Sequence, residues 1–275
     1  MPQPIQFPVQ SPTLSPVHVV QLSDSHLFAD AQGSLIGMNT RDSLQHVVAL
    51  ARREQPRVDL LLATGDLSQD GSDASYACFQ QLTEPFATQA RWLPGNHDDQ
   101  AAMARAAEGK DLLQSVTDIG QWRVIMLNSQ VVGATFGVLD SAQLSGLDQA
   151  LREAPDRHCL VCLHHQPVPI DCAWMGSIGL RNADALFEVL DACPQVRALL
   201  WGHIHQEWDQ ARGGVRLLAS PSTCIQFAPG CEDFTVSEEK PGYRWLRLHA
   251  DGKIETGVSR VEDYEVRLDF NGPGY

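Results

Sequence analysis

Residues 17–26 read Val-His-Val-Val-Gln-Leu-Ser-Asp-Ser-His, a short run of β-branched and leucine side chains that ends in an acid and an imidazole. A run this short, apolar on both faces, predicts a central strand of a buried sheet. Alternate residues of an extended chain face one side, so Asp24 and His26 are expected to grip a common object just past the strand. The pattern returns downstream: 60–64 leads to Gly65-Asp66, 92–94 to Gly95-Asn96-His97-Asp98, 159–163 to His164-His165, and 198–201 to Gly202-His203-Ile204-His205. In open α/β sheets, ligands collect beyond the carboxyl ends of the strands, so these separate ends can meet at one site. Burying so many Asp, Asn and His groups without partners would cost on the order of several kcal/mol. Bound metal removes that cost. By the same alternation His203 and His205 should grip from one face, whereas adjacent His164 and His165 must point apart, one into the site and the other behind it. Glycines 65, 95 and 202 let the backbone turn beside a crowded centre.

Outward from this strand, the apolar runs at 17–22, 58–63, 90–93, 122–127, 159–163 and 196–201 predict strands, and amphipathic stretches alternate with them. Leu44, Val47, Val48 and Ala51 recur at helical spacing behind a cap at Asn39 or Thr40. Tyr76, Phe79 and Leu82 do so behind Ser72, Leu144, Leu147 and Leu151 behind Asp140 or Ser141, and Leu186, Val189 and Leu190 behind Asn182. The alternation marks βα units and an α/β fold. Past His205, Gly213-Gly214 and Asp251-Gly252 each separate two short strand-like runs, which predicts hairpins and a second sheet there. Residues 1–16 carry five prolines and read as an extended arm, with 17–275 as one domain.

The chain has 20 Lys and Arg against 34 Asp and Glu, a net charge of -14. That field repels long nucleic acid, and a small anionic substrate needs a local positive centre such as metal. There is no apolar run long enough to span a membrane and no leader pattern at the N-terminus, so the expected location is the cytoplasm. The seven cysteines are scattered, and Cys159 and Cys162, three apart on a buried strand, face opposite sides; neither a zinc half-site nor a redox pair is expected. His18, His46, His158 and His249 lack the strand-end setting and read as ordinary core or surface residues.

Taken in order, Asp24-x-His26, Gly65-Asp66, Gly95-Asn96-His97-Asp98, His164-His165 and Gly202-His203-x-His205 resemble the signature of the calcineurin-like metallophosphoesterases. Within that superfamily, Leu93 to Asp98, Leu180-Arg181-Asn182, Gly202 to Glu207 and Pro221-Ser222-Thr223-Cys224 are similar to bacterial class III cyclic-AMP phosphodiesterases. The resemblance implies a four-layer α/β/β/α sandwich of two mixed sheets, with a dinuclear metal site at the strand ends. It implies that Asp24, His26 and His205 hold one ion and Asn96, His164 and His203 the other, with Asp66 bridging both. Fe, Mn or Zn suit such donors. The implied reaction is hydrolysis of 3′,5′-cyclic AMP to 5′-AMP, in which a hydroxide shared by the metals attacks in line with the 3′ oxygen. Asp66 and His97 are then the catalytic candidates, His97 as the group that stabilises charge or protonates the departing oxygen. Substrate is expected against His26, Asp66, Asn96, His97 and His205. Arg181 and Asn182 are candidates for ribose or base, beside a plainer reading of Asn182 as a helix cap and Arg181 as a solvated charge. Some relatives carry an acid or amide three positions after the bridging Asp, where this chain has Gln69, followed by Asp70. Two other functions are carried: the same chemistry on a glycerophosphodiester or 2′,3′-cyclic nucleotide, and a binding module without catalysis. The module should show eroded ligand positions, and here every one is filled.

Overall fold

The computed structural model describes residues 15–270, so the arm expected at 1–16 lies outside the described residues apart from Ser15 and Pro16. Along the chain run β1 (Val17–Leu22), β2 (Ser34–Leu35), β3 (Met38–Asn39), α1 (Thr40–Glu54), β4 (Leu60–Thr64), α2 (Asp73–Thr83), β5 (Gln89–Leu93) and α3 (Gln100–Ala106). Then come β6 (Val116–Ile119), β7 (Trp122–Met126), α4 (Ser141–Arg152), β8 (His158–Cys162), α5 (Ala183–Asp191) and β9 (Val196–Trp201). The last third holds β10 (Trp208–Arg212), β11 (Val215–Ala219), β12 (Gln226–Phe227), β13 (Val236–Ser237), β14 (Gly242–Leu248) and β15 (Ile254–Arg260). Helix starts follow side-chain chemistry. Asn39 accepts from the Asp42 N–H at 2.8 Å, Ser72 from Ser75 at 3.2 Å and Asp140 from Gln143 at 2.8 Å. Asn182 occupies the cap position of α5 but makes no capping bond. Its amide spans to Leu139 instead, accepting from the N–H at 3.0 Å and donating to the carbonyl at 2.7 Å, which corrects the cap reading.

Two mixed sheets form, β15-β14-β1-β4-β5 and β10-β11-β9-β8-β7-β6. Between them lies an apolar layer that includes Val19, Leu62, Trp122, Val124, Leu160, Leu200 and Leu246. A second layer, with Leu44, Val47, Tyr76, Phe79 and Met103, packs α1 to α3 on the outside of the first sheet, and a third, with Leu147, Leu151, Leu186 and Leu190, packs α4 and α5 on the second. The architecture is therefore the four-layer α/β/β/α sandwich. The hairpins expected after His205 form, but they build onto the two main sheets: the β10–β11 hairpin extends the second sheet through β9, the β14–β15 hairpin extends the first through β1, and among the described residues only the short β12–β13 pair makes a sheet of its own there. β1 and β9 are buried on both faces, and without these partners each would present an unpaired backbone edge. Buried polar side chains tie the sheets together. The Gln21 amide donates to Thr64 at 2.8 Å and across the sandwich to the Trp201 carbonyl at 2.9 Å. Arg244, fully buried, donates to the carbonyls of Ala219 at 2.8 Å and Trp208 at 3.1 Å. All seven cysteines are free thiols, and no helix among the described residues is long and apolar enough to cross a membrane.

Candidate active site

The loops that follow β1, β4, β5, β8 and β9 meet at one end of the sandwich. Backbone bonds stitch them: Asp24 N–H to the Gly65 carbonyl at 3.0 Å, His26 N–H to Asp66 at 2.9 Å, and Gly202 N–H to His164 at 3.2 Å. Here the chain is not extended. Asp24, His26, Asp66, His203 and His205 adopt positive φ of 57°, 45°, 51°, 66° and 49°. Such backbone costs on the order of 1–3 kcal/mol per residue and persists only where surroundings enforce it. The alternation argument from extended strands therefore fails on geometry, and the ends are aimed by left-handed turns. Gly65 shares that conformation, at φ 97°. Gly95 and Gly202 are required for space: a β-carbon on the first would strike the Asp66 carboxylate, and on the second the Ser23 hydroxyl.

These turns bring together Asp24, His26 and His205 in one cluster, and His164, His165 and His203 in another, each with ligand atoms within 4.8 Å of one another. Asp66 stands between them, its carboxylate 3.8 Å from His26 Nε2 and 3.2 Å from His164 Nε2. His203 and His205, paired by sequence spacing, thus part company into different clusters. His164 and His165 do not simply diverge either; their rings meet edge to face at 4.9 Å and both reach the same cluster. Asn96 joins here, its Oδ1 3.3 Å from His164 Nε2. His97 packs edge-on to His26 at 5.0 Å between ring centroids, and its backbone N–H donates to Asp66 Oδ1 at 2.8 Å.

Hydrogen bonds on the outer ring nitrogens set the tautomers. His164 Nδ1 faces the Thr64 carbonyl at 2.8 Å, His205 Nδ1 the Ile225 carbonyl at 2.8 Å, and His26 Nδ1 the Gln69 oxygen at 2.7 Å. A carbonyl accepts only, so each Nδ1 carries a proton; in the neutral ring Nε2 then turns a lone pair inward, which for His164 requires that the proton held on Nε2 by Asp66 first leaves. His203 is reversed: Nε2 lies 3.1 Å from the Ile178 carbonyl and Nδ1 points to the cluster. Asp66 Oδ2, His165 Nε2 and His203 Nδ1 are buried without hydrogen-bond partners. Orphaned lone pairs converging among imidazoles and carboxylates, with no thiolate, fit a hard-to-borderline metal ion. Electrostatics agree. Burial pushes the pKa of His26 and His165 down to about 3 and that of His203 well below its usual value, so these rings are neutral donors. Burial also opposes the Asp66 charge, but His164 and His97 outweigh it and hold the carboxyl well below the usual range; in return Asp66 overcomes burial and lifts His164 to about 9.

Sequence reading missed the supports. Asp98, buried, accepts from the N–H groups of Gly95 at 2.8 Å, Leu67 at 3.1 Å and Ser68 at 3.1 Å and from the Tyr76 hydroxyl at 3.0 Å, which clamps the Asp66 loop to the Asn96 loop. Burial and then Asp66 push it up to about 7. Phe227 stacks on His205 at 4.1 Å, and Ser129 meets His165 Nδ1 at 2.8 Å. Only the position of Asp98 inside a motif block offered a signal; the others come from distant chain. Gln69 is the group that orients His26, while Asp70 pins its own loop through Ala29 at 2.7 Å and Ser72 at 2.7 Å. Arg181 lies outside the clusters with its guanidinium 3.2 Å over the Phe136 ring, and both polar ends of Asn182 are engaged by Leu139. His18, His46, His158 and His249 all stand outside the clusters.

Fold and site define a class: residues 17–207 match the family described as calcineurin-like phosphoesterase, and the chain belongs to that family. It is 56% identical over 259 residues, 94% of this chain and 95% of the relative, to the 3′,5′-cyclic adenosine monophosphate phosphodiesterase CpdA of Pseudomonas aeruginosa. To CpdA of Escherichia coli strain K12 it is 45% identical over 261 residues, 94% and 95% of the two chains. Among solved structures, a dimetal phosphatase from Danio rerio superposes with TM-score 0.63 at 15% identity, covering 90% of this chain and all of that one, a likeness of fold. The family works with divalent metal ions, and the His and Asp clusters are groups that could hold them.

Proposed function

We propose that the chain hydrolyses 3′,5′-cyclic AMP to 5′-AMP at a dinuclear centre, with Asp24, His26 and His205 holding one ion, Asn96, His164 and His203 the other, and Asp66 shared. The observation that carries this reading is the buried Asp66 carboxylate, flanked by His26 and His164 with one oxygen lacking any hydrogen-bond partner. Bound Fe, Mn or Zn would supply positive charge to the phosphoryl oxygens and acidify a water to near neutrality. Asn96 contributes a neutral oxygen, so the ligand set keeps more positive charge for an anionic diester than a carboxylate there would. As water oxygen joins phosphorus opposite the breaking bond to O3′, the departing oxygen needs a proton. His97, part-exposed at the edge of the centre, is placed to deliver it or to stabilise charge. Arg181 and Asn182 take a positioning role here: they fix the 178–182 loop, whose Ile178 carbonyl orients His203. Residues 17–275 are read as one domain, since Gln21 and Arg244 bind the two sheets across its core.

The test uses protein loaded separately with Mn, Fe, Co and Zn, assayed on cyclic AMP, cyclic GMP, a 2′,3′-cyclic nucleotide and a glycerophosphodiester. Cyclic AMP should show the highest kcat/KM, and exhaustive chelation should abolish turnover. Preference for either of the last two substrates, or full turnover after chelation, overturns the reading.

A further inference from the structure

A cavity of about 280 Å³ opens beside the centre, where the edges of the two sheets approach under α3. Its walls continue into the site. Pro94 precedes Gly95-Asn96-His97, and Asn128 precedes Ser129, which meets His165 at 2.8 Å. Gln100 in the wall donates to Gln130 at 2.6 Å, and Gln130 in turn donates to the carbonyl of Asp98 at 2.6 Å. The volume sits just under the roughly 300 Å³ lower bound of sites for drug-sized ligands, which suits a fragment such as one aromatic base. Leu93, Pro94, Met103, Leu113 and Met126 supply apolar faces, and no charged residue lines the space.

We infer that this cavity receives the purine base of the substrate and reads it through uncharged amides, an inference that rests on the cyclic-nucleotide reading above. Gln143 accepts from the Asn128 N–H at 2.9 Å, which fixes its plane and turns its NH₂ to the ligand; Gln100, donating to Gln130, keeps its oxygen. An amide acceptor and an amide donor match the N6 amino group and N7 of adenine. Guanine at those positions offers two acceptors, O6 and N7, which call for Arg or Lys. The cavity holds neither, so it discriminates for adenine over guanine.

Ala104 lines the cavity from the exposed side of α3, so Ala104→Trp obstructs it without entering the core. The metal-loaded protein is assayed on cyclic AMP, cyclic GMP and bis(4-nitrophenyl) phosphate, a diester with no base, and adenosine binding is measured by calorimetry. Ala104→Trp should raise KM for cyclic AMP and weaken adenosine binding at least tenfold, with hydrolysis of the aryl diester within twofold of wild type. Gln100→Leu should narrow the cyclic AMP to cyclic GMP ratio of kcat/KM at least fivefold. If wild type cleaves cyclic AMP and both variants leave its KM, adenosine binding and that ratio unchanged, or lose all substrates in parallel, the subsite is overturned alone. Wild type that cleaves the aryl diester but not cyclic AMP overturns the functional reading, and the subsite with it.

Discussion

Asp24, His26, Asp66, His203 and His205 share left-handed backbone, and that turns the donors of three of the five loops, those after β1, β4 and β9, inward. Five such residues at one end of the sandwich mark where the surroundings enforce geometry; the other described non-glycine residue with positive φ, Ile36 at 46°, turns the β2–β3 hairpin. Asp66 contacts both clusters, so Asp66→Ala should lose metal, measured by elemental analysis, and lose activity below detection. His97→Ala should keep its metal and lose about 10² to 10⁴ in kcat, the usual worth of a positioned acid. Equal activity of Asp66→Ala and wild type would refute the sharing role. The imidazoles also set a pH dependence for the chelated protein. Unfolded, His26 and His165 take up protons near pH 6.5; folded, only near 3. Their contribution to stability is full above pH 6.5 and lost as the pH falls toward 3, by up to about 1.4 kcal/mol per pH unit for each proton. His164, raised to about 9, contributes fully below pH 6.5 and loses that contribution as the pH climbs through 9. Urea midpoints of chelated protein should therefore peak near neutrality; a midpoint that rises steadily from pH 7 to pH 5 contradicts this.

At the scale of elements, the helices begin where short polar side chains meet orphan N–H groups, and Asn39, Ser72 and Asp140 were readable for that reason. Asn182 shows the limit of such reading. It stands at the cap position, yet the loop before α4 comes close enough for Leu139 to claim both ends of its amide, a contact 43 residues away in the chain. Asn182→Ala leaves the Leu139 N–H and carbonyl without that partner, which should cost about 1–3 kcal/mol in urea unfolding. Metal content should remain. Loss of less than about half a kcal/mol would return Asn182 to the class of surface residues.

Across the whole molecule, the two sheets are fastened by a few buried polar groups set into an otherwise apolar layer. Arg244 donates to Ala219 and Trp208 of the second sheet while standing on β14 of the first, and burial pushes its guanidinium down to about 10. Arg244→Met keeps the apolar stem and strands both carbonyls, each worth about 1–3 kcal/mol when left unsatisfied. Urea unfolding should show a loss of that order, and kcat of the surviving folded protein should stay within twofold. An unchanged midpoint would mean that apolar contact alone joins the sheets.

Local chemistry was legible in the chain itself: apolar runs of strand length, capping residues, and donors placed after strand ends, because each depends on neighbours within a few residues. The sandwich itself and the implied split of ligands came from resemblance, as periodicity alone named neither. Only the tertiary structure decided that the late hairpins flank β1 and β9 and that Gln69, Asp98 and Phe227 brace the centre; His203 and His205 stand in different clusters, the separation that the resemblance had implied. Those outcomes turn on positive φ at single residues and on contacts far apart in sequence, where spacing along an extended strand carries no information about direction.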